Sequence, residues 1–269
     1  SPDFSEGLIL HGMGGLGKSS TAARLCERMS GFERLVWVGP LDEAQLLRVF
    51  GERIADAEAL AELNDTRLSL PMRLKKLLQG YLLKRPSLFV FDDFEQNAEL
   101  DSEQLPRFDD QQRMLALPPA VSILEALRRG IRESNSQSRL IVTCRYDLPG
   151  FPTLHREPLD GLKHSELEKK LNLLSAFAHR TDDNPLRQRA VELSGGNPRL
   201  LEHLDLLLAD DQTDQEKIFQ AMEQVAEEFR ETTLLRALLD QQHPDARRIL
   251  ARLSIFRLPV QEQIAAQTA

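Results

Sequence analysis

The sequence is poor in several residue types, and each shortage argues against a class of protein. Its two cysteines, Cys26 and Cys144, are too few for a disulfide framework and lack metal-ligand spacing, which fits a reducing cytosol. No apolar run approaches the roughly 20 residues of a transmembrane helix, and the polar start SPDFSEG lacks the basic prefix of a signal peptide. The net charge is −8, whereas broad nucleic-acid binding needs a net basic face. We therefore predict a cytoplasmic protein with no membrane partner, and disfavour nucleic acid as a partner of this stretch.

Hydrophobic patterning divides the 269 residues into an α/β part and an all-helical part. Short apolar segments alternate with helical patterns up to about Leu159, which is typical of a mostly parallel sheet covered on both faces. The predicted strands are Leu8–His11, Leu35–Val38, Leu88–Phe91, Arg139–Thr143 and Thr153–Arg156. The predicted helices of this part are Ser19–Met29, Asp42–Ala57, Pro71–Leu83 and Ala120–Glu133. After Leu159 only helical spacing remains.

Residues 95–119 interrupt this pattern. They are rich in acids and glutamines and have no clear periodicity, so we interpret them as a long exposed loop. A disordered surface loop is favoured over a regulatory or partner-binding insertion.

A glycine-rich segment follows the first predicted strand and opens the first predicted helix. Gly12, Gly17, Lys18 and Ser19 match G-x-x-x-x-G-K-[ST] in the strand–loop–helix context that this phosphate-binding motif requires. Glycines let backbone N–H groups face an anion, and the helix N-terminus adds partial positive charge. We predict that Lys18 reaches the β- and γ-phosphates and that Ser19 ligates Mg²⁺. The predicted nucleotide-binding residues of this loop are Gly12, Gly14, Gly15, Leu16, Gly17, Lys18, Ser19 and Ser20.

Two acidic residues end the apolar strand LFVFDD. Downstream of a phosphate loop, such an end is typical of the magnesium site of P-loop NTPases. We predict that Asp92 holds Mg²⁺ through water, because this ion keeps much of its hydration shell. Asp93 is the predicted catalytic base that polarises the attacking water, and Glu95 is the rival candidate for that role.

An arginine follows the next apolar strand, SRLIVTCRYD. Ligands of open α/β sheets bind at the carboxyl ends of the strands, so Arg145 would emerge beside the phosphates and stabilise charge during γ-phosphoryl transfer. A solvated arginine at a strand end is equally common. The residues alone leave both interpretations open.

The order of these motifs resembles that of the STAND ATPases, and most of all their NB-ARC branch, which includes apoptosis regulators, plant resistance proteins and bacterial relatives. The segments that carry the resemblance are GMGGLGKSS, FERLVWVGP, KRPSLFVFDDFEQN, SRLIVTCRYD and LSGGNPRLLEHL. It implies a P-loop NTPase core with a parallel five-stranded sheet of order 2-3-4-1-5, followed by an all-helical domain and the start of a winged-helix domain. The strand before Arg145 then lies between those of the phosphate loop and the acid pair, which favours Arg145 as a catalytic residue at the γ-phosphate.

The resemblance also implies the nucleotide and the domain limits. Pro198, in the family's G-x-P segment, is expected to contact adenine, and the bound nucleotide is expected to be ATP or ADP rather than GTP. The arginine motif that precedes the phosphate loop in relatives is absent here, as is the histidine of their winged-helix domain. We predict a nucleotide-binding domain at residues 1–160, a helical domain at 161–233 and a truncated winged-helix domain at 234–269. We expect a fragment of a longer, bacterial protein.

The function predicted from these features is a signal-transduction switch. ADP would hold the domains in a resting state, and ATP would free them to rearrange and form a homo-oligomer that activates a fused effector in response to a fused sensor. Mg²⁺-dependent ATP hydrolysis would be slow and would reset the switch. Two alternatives stay open: an AAA-like motor or loader that hydrolyses ATP continuously, and a STAND-type transcription regulator acting on DNA.

Overall fold

A five-stranded parallel sheet lies at the centre of the first of two units into which the chain divides, Ser1–Asp160 and Gly161–Ala269. The structure, a computed structural model, describes residues 6–178, 180–181, 183–209 and 214–254. The strands are β1 (Gly7–His11), β2 (Glu33–Val38), β3 (Ser87–Asp92), β4 (Arg139–Cys144) and β5 (Leu154–Pro158). Their order is β2-β3-β4-β1-β5, which confirms the predicted order and places β4 between β1 and β3.

Five α-helices accompany the sheet in the described part of the first unit. They are α1 (Lys18–Arg28), α2 (Glu43–Arg53), α3 (Ala57–Leu63), α4 (Leu70–Gln79) and α5 (Pro118–Glu133). The prediction of one helix over Asp42–Ala57 is wrong, because a second aspartate begins a new helix there. Asp42 accepts from the N–H of Gln45 at the start of α2, and Asp56 accepts in the same way from the N–H of Ala59 at the start of α3.

Alternate strand residues build the cores on the two faces of the sheet. Phe89 and Phe91 of β3 point into the larger core with the residues of α2–α5, whereas Leu88 and Val90 point to the smaller core beneath α1. All four are at most 4% exposed, as expected of a central parallel strand. Trp37 of β2 lies in the larger core, with its ring stacked 4.9 Å from that of Phe91.

Residues 98–117, which we call the insert, are folded, so the expectation of a disordered loop is wrong. Three antiparallel bridges join Ala98 to Ala116, Leu100 to Pro106 and Phe108 to Met114. Two equivalent turns shape the insert. In each, an aspartate carboxylate (Asp101 or Asp109) accepts the N–H groups two and four residues later, and the glutamine three residues on has a positive φ of 63° or 58°.

The described part of the second unit is helical. Its helices are α6 (His164–Leu171), α7 (Pro185–Ser194), α8 (Pro198–Leu208), α9 (Gln215–Glu223), α10 (Arg230–Asp240) and α11 (Pro244–Leu253). The apolar face of α8, including Leu200, Leu201 and Leu204, is buried in the core of this unit. Within the ranges that the structure describes, no helix has the length and apolar character needed to cross a membrane.

The connection between α7 and α8 contains two glycines with an unusual backbone. Gly195 and Gly196 have positive φ, and the Gly196 carbonyl accepts from the N–H of Leu162 at 2.8 Å.

The predicted limit between residues 233 and 234 falls inside α10, whose Leu234 belongs to the core of the helical unit. Residues 255–269, on which the winged-helix prediction also depends, lie outside the described residues, and that prediction stays open.

Candidate nucleotide-binding site

The ends of three neighbouring strands form one edge of the sheet in the first unit. Because the strands are parallel, the last residues of β1, β3 and β4 lie at the same edge: His11 is in register with Cys144, and Phe91 with Val142. The N–H of Gly12, the first residue after β1, donates to the Cys144 carbonyl at 3.3 Å. The glycine-rich loop and the residue after β4, Arg145, therefore start side by side.

The glycine-rich loop has a backbone that only glycine adopts readily. Gly12, Gly15 and Gly17 have φ of 145°, 82° and 87°. A Cβ on Gly12 would lie 2.4 Å from the Leu159 carbonyl oxygen, so the loop packs too closely there for a side chain. We conclude that the glycines are required by the shape of the loop.

The helix that follows the loop is prepared for an anion. Gly17 occupies the N-cap position of α1, no side chain caps the first turn, and this turn has no acidic residue. By contrast, α2 begins with a capping aspartate and has Glu43 in its first turn. The free N–H groups and the dipole at the start of α1 favour a phosphate.

Lys18 is buried at the centre of this edge and is 7% exposed. Its Nζ donates to the Gly12 carbonyl at 2.7 Å and to the Met13 carbonyl at 2.8 Å, so the ammonium lies against the loop. Burial lowers the pKa of Lys18; the Glu95 carboxylate opposes this shift most strongly, and the Arg145 charge adds to it. The buried ammonium is thus within electrostatic reach of both groups.

Thr143 joins the two acidic residues. Its hydroxyl donates to Oδ1 of Asp92 and accepts from the N–H of Asp93 at 3.1 Å. Asp93 has a left-handed backbone with φ 53°. Sequence reasoning missed Thr143 as a site residue; the available signal was a hydroxyl residue near the end of an otherwise apolar strand, two positions before the arginine.

Arg145 forms an ion pair with Glu95. Nε of Arg145 donates to Oε1 of Glu95 at 3.1 Å, and the backbone N–H of Arg145 donates to Oε2 at 3.3 Å. The carboxylate side chain is 17% exposed, and that of Arg145 is 48% exposed. The sequence offered Glu95 as a rival base and did not reveal this pairing.

The structure thus brings most of the predicted site residues to one edge. The loop from Gly12 to Ser20, Asp92, Asp93 and Arg145 all lie there, with Ser19 exposed in the first turn of α1. Pro198 belongs to the second unit as the first residue of α8, directly after the N-cap Asn197. Its predicted contact with adenine stays a prediction.

The predicted metal ligands are a hydroxyl, Ser19, and a carboxylate, Asp92. Within the described residues, no group of three or more His, Cys, Asp or Glu side chains could hold a metal ion on its own. Mg²⁺ is usually bound by one or two protein oxygens together with water and substrate phosphates, so this pair suits it.

The sheet order, the glycine-rich loop between β1 and α1 and the acidic end of β3 define a P-loop nucleotide-binding ATPase fold. Residues 2–117 match the NB-ARC domain, which confirms the predicted resemblance to the NB-ARC branch of the STAND-class ATPases over this part of the chain. A bacterial source stays a prediction.

The structure is similar to solved structures of other proteins. One is the Signal Transduction ATPase with Numerous Domains (STAND) protein with a tetratricopeptide repeat sensor, PH0952, from Pyrococcus horikoshii, with a TM-score of 0.57 and 17% identity over 97% of this chain. This chain spans only 34% of that protein. The Thermotoga maritima RuvB Holliday junction branch migration motor matches with a TM-score of 0.41 and 14% identity over 97% of this chain and 73% of RuvB, too low to bear on function. The curated proteins yield no match to the sequence.

Proposed function

We propose that the chain is the ATP/ADP-dependent switch of a larger signalling protein, with slow, Mg²⁺-dependent ATP hydrolysis that resets it. The observation that supports this most is the meeting of a glycine-rich loop, a buried lysine, an acid pair and an arginine at one edge of the sheet. Fused effector and sensor domains, homo-oligomer formation in the active state and a cytoplasmic location belong to the same proposal. So do a nucleotide-binding domain, a helical domain and the start of a winged-helix domain, with Pro198 of the helical domain against adenine.

Each charged group has a distinct role in the proposed reaction. Lys18 leaves the Gly12 and Met13 carbonyls to bind the β- and γ-phosphates, and the N–H groups of the loop and of α1 bind the phosphate oxygens. Arg145 binds the γ-phosphate and stabilises the charge that develops on it during transfer. Bound Mg²⁺, held by Ser19 and through water by Asp92, would neutralise phosphate charge.

Asp93 is the proposed base that orients the attacking water. The backbone N–H of Arg145 supports this choice, because it donates to Oε2 of Glu95 and holds that carboxylate beside the end of β4. Thr143 fixes the backbone of Asp93 and the carboxylate of Asp92 in relation to each other.

Nucleotide binding is the first test. Lys18→Ala should weaken ADP and ATP binding by at least a hundredfold in titration calorimetry, because the buried cation that faces the phosphates is lost. Lys84→Ala, which removes an exposed lysine of the same unit, should bind as the parent does. Equal affinity in the parent chain and in Lys18→Ala would contradict the assignment of the site.

Turnover is the second test. Asp93→Asn keeps the size of the side chain and tolerates a left-handed backbone, so it should bind ATP normally but lose most phosphate release. A low basal rate in the parent chain that DNA does not stimulate would support a switch. Continuous turnover stimulated by DNA would instead support a motor or loader.

A further inference from the structure

The carboxylate of Glu95 accepts hydrogen bonds from Arg145, the residue that the proposed function assigns to the γ-phosphate. Its two oxygens take different donors from the same residue: Oε1 accepts from the guanidinium of Arg145, and Oε2 accepts from the backbone N–H of Arg145. A guanidinium binds carboxylate and phosphate oxygens with the same N–H groups. Glu95 and a γ-phosphate therefore compete for one cation.

The two partners differ in their freedom to move. Glu95 lies in the 3₁₀ turn Phe94–Asn97, where Phe94 is 1% and Asn97 is 2% exposed. The side-chain amide of Asn97 donates to the Gly39 carbonyl, and its oxygen accepts from the N–H of Leu41 at 2.6 Å. The turn is thus fixed on both sides of Glu95, and the half-exposed guanidinium of Arg145 is the partner that can turn away.

The pair lies close enough to the phosphate loop to affect a bound nucleotide. Among the charged neighbours of the buried Lys18, Glu95 has the largest electrostatic effect and Arg145 the next largest. A phosphate bound by Lys18 consequently lies in the field of this ion pair. A diphosphate leaves the pair intact, whereas a γ-phosphate that turns the guanidinium towards itself breaks the bond from Nε to Oε1.

We propose, on the basis of the proposed function, that Glu95 determines the preference of the site for nucleoside diphosphate over triphosphate by holding Arg145 away from the γ-phosphate. The backbone N–H of Arg145 keeps its bond to Oε2 when the guanidinium leaves, so the pair can re-form after γ-phosphate is lost. Glu95 thereby stabilises the ADP-bound state of the switch relative to the ATP-bound state.

The test measures the ratio of the dissociation constants for ADP and for the non-hydrolysable β,γ-imido analogue of ATP. The 269-residue chain is freed of co-purifying nucleotide and titrated with each nucleotide in the presence of Mg²⁺. Glu95→Gln keeps the size of the side chain but removes the charge. It should bind the ATP analogue about three- to fivefold more tightly, in keeping with the strength of a partly exposed ion pair, and bind ADP within about twofold of the parent.

Two further variants test whether an effect of Glu95→Gln is specific to this site and depends on Arg145. Glu103→Gln removes an exposed acid of the insert and should leave both dissociation constants unchanged. In an Arg145→Gln background, Glu95→Gln should no longer change the ratio, because the competing cation is gone.

The contrary outcomes are distinct. An unchanged ratio in Glu95→Gln, or weaker binding of the ATP analogue, overturns the inference. A tightening of the same size in the Arg145→Gln background also overturns it, since Glu95 would then repel the γ-phosphate without acting through Arg145. A parent chain that binds neither nucleotide overturns the proposed function and, with it, this inference.

Discussion

Replacing Thr143 by valine tests whether one hydroxyl holds the acid pair in place. Thr143 is fully buried, and valine has the same shape, so the change removes only the hydrogen bonds. The N–H of Asp93 and one oxygen of Asp92 each lose their partner. A buried group left without its partner costs about 1–3 kcal/mol, and water can replace the partner of the half-buried Asp92. We therefore expect Thr143→Val to lower the free energy of unfolding by about 1–3 kcal/mol, and by more than a change that keeps the hydroxyl.

The only tryptophan makes this measurement specific to the first unit. Trp37 is 4% exposed and is stacked on Phe91, the residue before Asp92, so its fluorescence reports the unfolding of the sheet. Urea denaturation followed in this way gives the midpoint and the slope, and a lower midpoint at constant slope indicates lost stability.

Thr143→Ser is the matched control, because it keeps the hydroxyl and loses one buried methyl group. Its expected cost is about 1 kcal/mol. If Thr143→Val lowers the free energy of unfolding no more than Thr143→Ser does, the hydroxyl does not hold the acid pair in place.

Two further predictions concern the phosphate loop. Gly12→Ala should lower the free energy of unfolding, measured by urea denaturation, by about 1–3 kcal/mol, because alanine must adopt a positive φ and its Cβ would lie 2.4 Å from the Leu159 carbonyl oxygen. The control Gly51→Ala, in α2 with open space around it, should leave the stability unchanged or raise it. Burial lowers the pKa of Lys18 below 10.5, so between the lowered pKa and 10.5 the unfolded chain binds more protons than the native chain. The stability of the parent relative to Lys18→Met should therefore rise with pH across that window. A difference between the two chains that stays constant from neutral pH to pH 10.5 would contradict the pKa assignment.

The sheet and its order could be predicted, but by two different routes. The strands were found from short apolar runs, and β3 is the clearest of these because it is buried on both faces. The order β2-β3-β4-β1-β5 came only from the resemblance of the motifs to a family, since spacing along the chain does not say which strands are neighbours. Helix limits were less certain where an aspartate could either continue a polar face or begin a new helix, as at Asp56.

The sequence pattern does not predict the folded structure of the insert, and the reason is physical. Its order depends on single bridges and on turns capped by Asp101 and Asp109, and such short contacts give neither a helical nor a strand period in the sequence. The repeated aspartates, each followed three residues later by glutamine, were the signal that could have revealed two turns.

The predicted site residues were those that a motif marks, and the missed features are contacts between distant parts of the chain. The glycines, Lys18 and the acid pair are adjacent in sequence to strands, so their meeting at one edge follows from a parallel sheet. The bonds of Thr143 to the acid pair and of Glu95 to Arg145 span about 50 residues each. They depend on side-chain directions at the strand ends, which no pattern of residue types specifies.

The end of β3 and the turn that follows it, residues 92–97, are bonded to the ends of both neighbouring strands, and this limits what can move. On the β2 side, the Asp92 carbonyl accepts from the N–H of Gly39 at 2.9 Å; on the β4 side, Thr143 is bonded to Asp93, and Arg145 to Glu95. Of these bonds, only the one to the guanidinium involves a half-exposed side chain. Under the proposed function, a γ-phosphate would therefore draw Arg145 away while the acid pair keeps its position.

The insert is hydrogen-bonded to the segments that follow the same two strands, β3 and β4. At its base the N–H of Leu117 donates to the Asn97 carbonyl at 2.7 Å, beside Glu95, and the N–H of Met114 donates to the Asp147 carbonyl at 2.9 Å, two residues after Arg145. Because both bonds are made by the backbone of one folded segment, the exits of β3 and β4 cannot separate without breaking one of them or deforming the insert. The folded insert thus links the segments that follow β3 and β4, which carry Glu95 and Arg145, and it helps to keep these two residues within bonding distance.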